Sequence, residues 1–424
     1  MHEHALPLLM AASILFFGAV SRRAERSPIT APMAFLALGL LVGKWGLDWI
    51  PLETDSKLID LLGEFALILV LFTDASRIDL SSLREAASLP TRLLGLGLPL
   101  AIGAGALAAL GLFPEFGVWE ALLLAAILAP TDAALGQAVV SSPLVPQRIR
   151  QTLNVESGLN DGMALPVVLL SVSLIATSGG DRDTLDWLGF AAVQIGLAPV
   201  VGALVGFLGG RLVSETSDAG WMSRPFQHLS ALALSVLAFA LAESLGANGF
   251  ISVFVAGAVL GNSAATICEC VHDFGEAEGQ LLALAMFFLL GAVLAPAQVG
   301  QIDPRHLVYA LLSLTLIRGI PVLLSLAGSG LDGRSIAFLA WFGPRGLASV
   351  LYMLIALEGG ALGNHPEIAT VITWTVLLST LAHGLTAYPL AKAYGEYAAR
   401  AREVGGCGPE YEPTVDARVR VRFE

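Results

Sequence analysis

The stretch NVESGLNDGMALPVV, residues 154–168, places a glutamate, a serine, an asparagine and an aspartate within six positions of an apolar run. Ionisable side chains are rare in a lipid bilayer and are usually functional there. In a helix, Asn160 shares a face with Glu156, and Asp161 shares the neighbouring face with Ser157. Both faces then present oxygen atoms, which hard cations prefer as ligands. The stretch therefore predicts a membrane helix that binds a cation.

The whole chain is as apolar as this stretch. Of its 424 residues, 55% are hydrophobic and 14% are charged, whereas a soluble domain is usually about 25% charged. Apolar runs of about 17–25 residues recur along the chain, and each is long enough to cross the bilayer. The net charge of −12 argues against nucleic-acid binding. We predict an all-α membrane protein, embedded in the lipid bilayer, with about 13 transmembrane helices.

The apolar runs define thirteen spans and a tail. The predicted spans are residues 5–21, 30–47, 58–76, 92–112, 118–140, 151–176, 187–211, 228–245, 247–262, 279–298, 306–327, 335–357 and 367–392. Residues 1–395 then form the transmembrane domain, and residues 396–424 form a short cytoplasmic tail.

The distribution of arginine and lysine orients these spans. In the first half of the chain, the loops after odd-numbered spans hold more basic residues than the loops after even-numbered spans. The positive-inside rule then places the N-terminus outside and the C-terminus in the cytoplasm. The expected location is the cell (inner) membrane. The loop at residues 263–278 is an exception, because it should be cytoplasmic and is nevertheless acidic.

Two spans carry helix-breaking residues near their centres. Span 5 contains Pro130 in AILAPTDAALG, and span 12 contains Gly343 and Pro344 in AWFGPRGLASV. Proline lacks an amide donor and clashes with the preceding turn, so both helices should be broken. Their spacing predicts an inverted repeat of spans 1–6 and 8–13, with span 7 as the connector. Paired broken helices at a repeat interface mark the binding site of a secondary transporter.

A second aspartate follows the break in span 5. If spans 5 and 6 pack together, Asp132 and Asp161 share one site. A desolvated carboxylate beside another carboxylate binds a proton more readily. A bound cation would expel that proton, so cation and proton compete for the same group.

Three further ionisable groups in the spans need partners. Arg318 in span 11 is the candidate partner of Glu156, in a pair that would hold span 6 against span 11. Arg345 follows the break in span 12 and is a candidate to neutralise the carbonyl end of a half-helix. Asp74 ends span 3 close to Arg77, so an interfacial ion pair and a role in the site both stay open.

Four polar stretches resemble a known family. LAPTDAA in span 5, NVESGLNDG in span 6, LIRGIP in span 11 and FGPRGLAS in span 12 are similar to those of NhaP-type monovalent cation/proton antiporters, relatives of the sodium/proton exchangers. The resemblance covers residues 5–395 and implies the NhaA/NhaP-like antiporter fold. It also implies a homodimer of protomers with a dimerisation part and a six-helix core, alternating access, and a part in pH homeostasis.

The resemblance also implies roles for individual residues. The implied cation- and proton-binding residues are Asp161, Asp132, Ser157 and Thr131, with Na⁺ as the transported ion. The implied site-orienting residues are Asn160, Glu156 and Arg318, and further candidates are Thr73, Asp74 and Arg345. An Asn–Asp pair is typical of the branch that exchanges one cation for one proton. Some members carry a glutamate in the motif of span 3, so the full ligand set and the preference between Na⁺ and K⁺ stay open.

These features favour a secondary antiporter that exchanges Na⁺ or Li⁺ for H⁺ and needs no cofactor. K⁺/H⁺ exchange by the same mechanism is the alternative. An intramembrane aspartyl protease would use Asp132 and Asp161 as a shared-proton dyad, but no GxGD motif surrounds either residue. A cation channel would build its filter in a symmetric assembly. We therefore expect a transporter and not an enzyme.

Overall fold

Helices make up all the regular secondary structure of the residues that the structure describes. The structure is a computed structural model and describes residues 5–24, 27, 29–50, 57–76, 88–132, 135–177, 196–263, 268–403 and 408–411. A helix satisfies its own backbone hydrogen bonds, which a bilayer requires because it contains no water to replace them. The predicted all-α class is confirmed.

The helices are numbered here in chain order. They are α1 (Ala5–Ala24), α2 (Ala31–Val42), α3 (Lys57–Ser76), α4 (Leu98–Leu112, preceded by Ser88–Arg92 and a π-helical turn Leu93–Gly97), α5 (Val118–Leu128), α6 (Gln137–Val140), α7 (Gln147–Thr177), α8 (Ala198–Asp218), α9 (Arg224–Ser244), α10 (Gly249–Ser263), α11 (Cys268–Leu289, followed by a π-helical turn Leu290–Leu294 and Ala295–Gln298), α12 (Pro304–Leu314), α13 (Leu316–Ser325), α14 (Gly333–Trp341), α15 (Leu347–Glu358) and α16 (Glu367–Glu403).

Each predicted span overlaps at least one of these helices. Within the described ranges, eight helices are long and apolar enough to cross a membrane, and α2, α5, α10 and α15 are shorter apolar helices. The count of thirteen crossings therefore stays a prediction. The domain boundary at residue 395 also stays a prediction, and α16 continues past it to Glu403.

The predicted limits of span 7 and of the acidic loop differ from the structure. Residues 187–195 of span 7 lie outside the described residues, and α8 continues to Asp218 instead of ending at residue 211. Arg211 and Glu215, one turn apart and 2.6 Å from each other, support this extension. The loop predicted at residues 263–278 is wrong in part, because α11 begins at Cys268. Helix propensity does not require apolar residues, so a helix can extend beyond its apolar run.

Span 11 is interrupted at a position that its apolar pattern does not show. Helix α12 ends at Leu314 and α13 begins at Leu316. Between them, the hydroxyl of Thr315 donates to the carbonyl of Leu311 at 2.6 Å, while its amide bonds to Leu312. A threonine hydroxyl that donates to a carbonyl of the preceding turn competes with the backbone hydrogen bonds of the helix.

Helix α5 lies at the centre of the packing. Almost every residue from Ala121 to Leu128 is buried, and this helix packs against α4, α7, α15 and α16. A helix that is apolar on all sides belongs in a protein interior. The end of α5 therefore places the break at Pro130 deep inside the molecule.

Candidate cation site

The two broken segments meet at their breaks. Helix α5 ends at Leu128, and residues 342–346 separate α14 from α15. The amide of Asp132 donates to the carbonyl of Pro344 at 2.8 Å, which joins one break directly to the other. The prediction that Pro130 and Pro344 break their spans is confirmed. Two helix ends thus face each other inside the protein and need charges or hydrogen bonds to satisfy them.

Each break supplies a charged side chain to the opposite helix end. The guanidinium of Arg345, which is completely buried, donates to the carbonyls of Ala129 and Pro130 at 2.7 and 3.1 Å. It neutralises the carbonyl end of α5, where the helix dipole is negative. The carboxylate of Asp132 accepts from the amide of Leu347 at 2.8 Å, at the positive amino end of α15. These contacts are those of the half-helix role considered for Arg345, and a part of Arg345 in transport stays a prediction.

Helix α7 is bonded to this crossing through the predicted polar stretch. The hydroxyl of Ser157 donates to the backbone carbonyl of Thr131 at 2.5 Å. The side-chain amide of Asn160 donates to the hydroxyl of Thr131 at 2.7 Å. The hydroxyl of Tyr352 in α15 donates to the backbone carbonyl of Asp161 at 2.7 Å. These bonds bring the polar stretch of span 6 against the breaks of spans 5 and 12.

The predicted ion pair between Glu156 and Arg318 is present. Both side chains are buried, and the guanidinium donates through two nitrogens to the two carboxylate oxygens, with Nη2 to Oε2 at 2.8 Å. Such a fork-to-fork pair is geometrically specific. It fastens α7 to α13. The amide of Asn160 bonds to Thr131, so an orienting effect of the pair on Asn160 stays a prediction.

A small cavity with room for about one water molecule lies beside the crossing. Three of the predicted ligands, Thr131, Asp132 and Ser157, line it, and most of its other lining residues are apolar. Asp161 is not among its lining residues; it lies one turn farther along α7 and is buried, with 9% of its surface exposed. The side chains of these three residues carry one carboxylate and two hydroxyl groups, which are oxygen ligands of the kind that hard cations prefer.

Two candidates from span 3 lie near this region. Asp74 is buried in α3, and α3 packs against α7 and α15. The hydroxyl of Thr73 donates to carbonyls of its own helix, those of Leu69 and Val70. Arg77 lies outside the described residues, so the ion pair considered for Asp74 stays open. The roles of Thr73 and Asp74 as ligands remain predictions.

Sequence reasoning missed three hydroxyl groups that support the crossing. Ser349 donates to the carbonyl of Ile127 at 2.8 Å, Ser379 of α16 accepts from the amide of Arg345 at 2.6 Å, and Tyr352 bonds to Asp161. Each is a polar side chain in an apolar helix, which is a usable signal. Each binds backbone atoms, however, so side-chain patterns do not identify its partner.

Gly346 offers a test of this geometry. A Cβ atom at position 346 would collide with the carboxylate of Asp132, whereas a Cβ at Gly333 in the same broken segment would meet open space. We expect Gly346→Ala to move Asp132 and to lower cation-dependent transport about tenfold, since overpacking costs about 1–3 kcal/mol. Gly333→Ala should transport like wild type in the same vesicle assay. Equal rates in the two variants would contradict this role of Asp132.

The fold and site are those of a membrane transporter built on two crossed, broken helices. Residues 11–393 match the family described as sodium/hydrogen exchanger, transmembrane, and the chain belongs to this family. The family is one of multi-pass membrane transporters and not of enzymes, and it implies no cofactor.

Named relatives and a solved structure agree with this assignment. The chain is 28% identical over 394 residues to the K(+)/H(+) antiporter NhaP of Alkalimonas amylolytica, and 26% identical over 389 residues to the K(+)/H(+) antiporter NhaP2 of Shewanella oneidensis. Each match covers 91% of this chain and 66% of the relative, so the chain spans just under two thirds of their length. The sodium proton antiporter MjNhaP1 from Methanocaldococcus jannaschii has the same fold, with a TM-score of 0.69 and 21% identity over 94% of this chain and 99% of that one.

Proposed function

We propose that this protein exchanges a monovalent cation, Na⁺ or Li⁺, for H⁺ across the membrane. The observation that supports this most directly is that the oxygen-bearing residues Thr131, Asp132 and Ser157 line a cavity at the crossing. The carboxylate of Asp161 lies one helical turn from Ser157. A buried carboxylate next to a cation site binds either a proton or the cation, and this competition couples the two fluxes.

The charge balance of the site supports exchange of one cation for one proton. The position before Asp161 is Asn160, whose amide carries no charge and bonds to Thr131. Glu156 is paired with Arg318, and Asp132 is stabilised by the amino end of α15. In our scheme Asp161 is then the one group that binds a proton and a cation in turn. The site therefore carries the same net charge with a bound proton as with a bound monovalent cation. The transport cycle is electroneutral.

The mechanism follows from these assignments. On the cytoplasmic side, Asp161 loses its proton and binds the cation together with Asp132, Ser157 and Thr131. The helices that carry the crossing move relative to the rest of the protomer, and the cation leaves outside. Asp161 binds a proton there and the helices return. An inward proton motive force drives extrusion of the cation.

K⁺/H⁺ exchange is the second candidate, because the relatives from Alkalimonas amylolytica and Shewanella oneidensis are named K(+)/H(+) antiporters. Selectivity depends on the number of ligands and on the size of the site. The cavity has room for about one water molecule, a size close to that of K⁺, so the liposome assay and not the volume distinguishes the two candidates.

We also propose that the protein is a homodimer and that it lies in the cell (inner) membrane. Its N-terminus lies outside and its C-terminus lies in the cytoplasm. This orientation rests on the arginine distribution, and the dimer rests on the resemblance to NhaP-type antiporters.

Purified protein in liposomes tests the function. The vesicles have an acidic lumen that contains a pH dye, and Na⁺, Li⁺, K⁺ or choline is added outside. We expect Na⁺ and Li⁺ to make the lumen more alkaline, with equal rates when valinomycin clamps the voltage and when it does not. The K⁺ arm is run without valinomycin. A response to K⁺ alone would establish the second candidate, and silence with every cation would contradict cation/proton exchange.

A further inference from the structure

The glycine directly after Asp161 forms a notch in α7 that is filled by an aromatic ring from another helix. Gly162 is buried, and a Cβ atom at this position would collide with the ring of Phe254 in α10. A Cβ at Gly158, one turn earlier on the same face of α7, would meet open space. The ring therefore occupies the space that a side chain at position 162 would need.

Helix α10 is held tightly on its other sides. Gly257 and Gly261 have no Cβ, so their helix approaches the backbone carbonyls of Phe72 and Ser76 in α3. Gly202 and Gly206 of α8 approach the backbone of α10 in the same way. These contacts between backbones admit no side-chain rearrangement, so α3, α8 and α10 form one packed group.

Helix α7 is held by the crossing instead. Hydrogen bonds from Ser157 and Asn160 reach Thr131, and the pair of Glu156 with Arg318 fastens α7 to α13. The ring of Phe254 is thus a contact between the helix that carries Asp161 and the packed group of α3, α8 and α10. An aromatic ring in a notch is held by shape and dispersion and not by directed bonds, so it can slide.

We infer that Phe254 and Gly162 form a sliding contact that positions α7, beside Asp161, for the movement that changes access to the site. This inference rests on the proposed function. Phe254 is a positioning residue and binds neither cation nor proton. Gly162 is needed because any side chain there would displace the ring of Phe254 from the notch. A filled notch therefore slows the movement and leaves the oxygens that bind the cation in place.

The test compares Gly162→Ala, Gly158→Ala, Phe254→Ala and the double variant Gly162→Ala/Phe254→Ala in the liposome assay. We expect Gly162→Ala to transport about tenfold more slowly than wild type, the scale of an overpacked contact. Gly158→Ala should match wild type. Phe254→Ala should be slower than wild type, because the positioning contact is lost. The double variant should be faster than Gly162→Ala and no slower than Phe254→Ala, because removing the ring leaves space for the new methyl group.

A second measurement separates positioning from a general loss of structure. A bound cation stabilises the folded protein against heat, so the rise in Tm on adding the transported cation reports binding. We expect this rise to be kept in Gly162→Ala while the rate falls. Loss of the rise, a double variant no faster than Gly162→Ala, or a wild-type rate in Gly162→Ala would each overturn the inference. If wild-type vesicles respond to no cation, the proposed function fails as well, and the two failures are thereby distinguished.

Discussion

We expect Asp161→Asn to abolish cation-dependent alkalinisation of liposomes while leaving the protein folded. The substitution keeps the size of the side chain and removes the group that binds the proton and the cation in turn. The backbone carbonyl that accepts from Tyr352 is untouched, so the bond between α7 and α15 remains. The loss should be complete with Na⁺, Li⁺ and K⁺, since all of them would depend on the same carboxylate.

Asp48→Asn is the matched control for this loss. Asp48 is exposed and has a φ of 51°, a left-handed conformation that asparagine tolerates well. This variant loses the same charge at a site away from the crossing and should transport like wild type. Persistent cation-dependent proton movement in Asp161→Asn would show that another carboxylate carries the proton, and Asp132 or Asp74 would then be tested in the same way.

The second large effect is expected at the pair of Glu156 and Arg318. Removing one member of a buried ion pair leaves the other charge without compensation and usually costs about 3–5 kcal/mol. We expect Glu156→Gln and Arg318→Gln each to lower the Tm of the purified protein strongly. The double variant should be more stable than the sum of the two losses predicts, because it leaves no unpaired charge. Thermal unfolding in detergent measures all three values.

Arg211→Gln provides the comparison. Its pair with Glu215 is 2.6 Å long, but both side chains are mostly exposed, at 67% and 64%, and exposed pairs contribute little to stability. The Tm of this variant should stay close to that of wild type. Strictly additive losses at Glu156 and Arg318 would mean that the two residues are not energetically coupled.

Much of the fold was predictable because a bilayer restricts what a sequence can do. Apolar runs must form helices, because a bilayer supplies no other partners for the backbone. Pro130 and the pair Gly343–Pro344 were expected to break their spans, but proline alone does not decide this, since Pro166, Pro321 and Pro389 lie inside helices. The pairing of Glu156 with Arg318 was also predictable, because few basic groups lie deep in the spans. The interruption at Thr315 was not predicted. It lies in the backbone of Thr315, whose φ of −119° and ψ of −85° are not helical. The hydroxyl bond to the preceding turn does not predict it, because Thr375 and Thr380 make the same bond within the unbroken α16.

The sequence by itself determined the helical class and the residue types available for a cation site, because these follow from the hydrogen bonds that the backbone needs and from the cost of charge in lipid. Which prolines break a span was decided by the tertiary structure. Only the tertiary structure decided which helix end each charged side chain contacts. Arg345 neutralises the end of α5 and Asp132 meets the amino end of α15, although both partners are more than 200 positions away. Only the tertiary structure also showed that Gly162 receives the ring of Phe254. The partner of such a contact is a backbone atom or the space beside a glycine, and residue types along the chain do not identify it. It is specified by the packing of the helices.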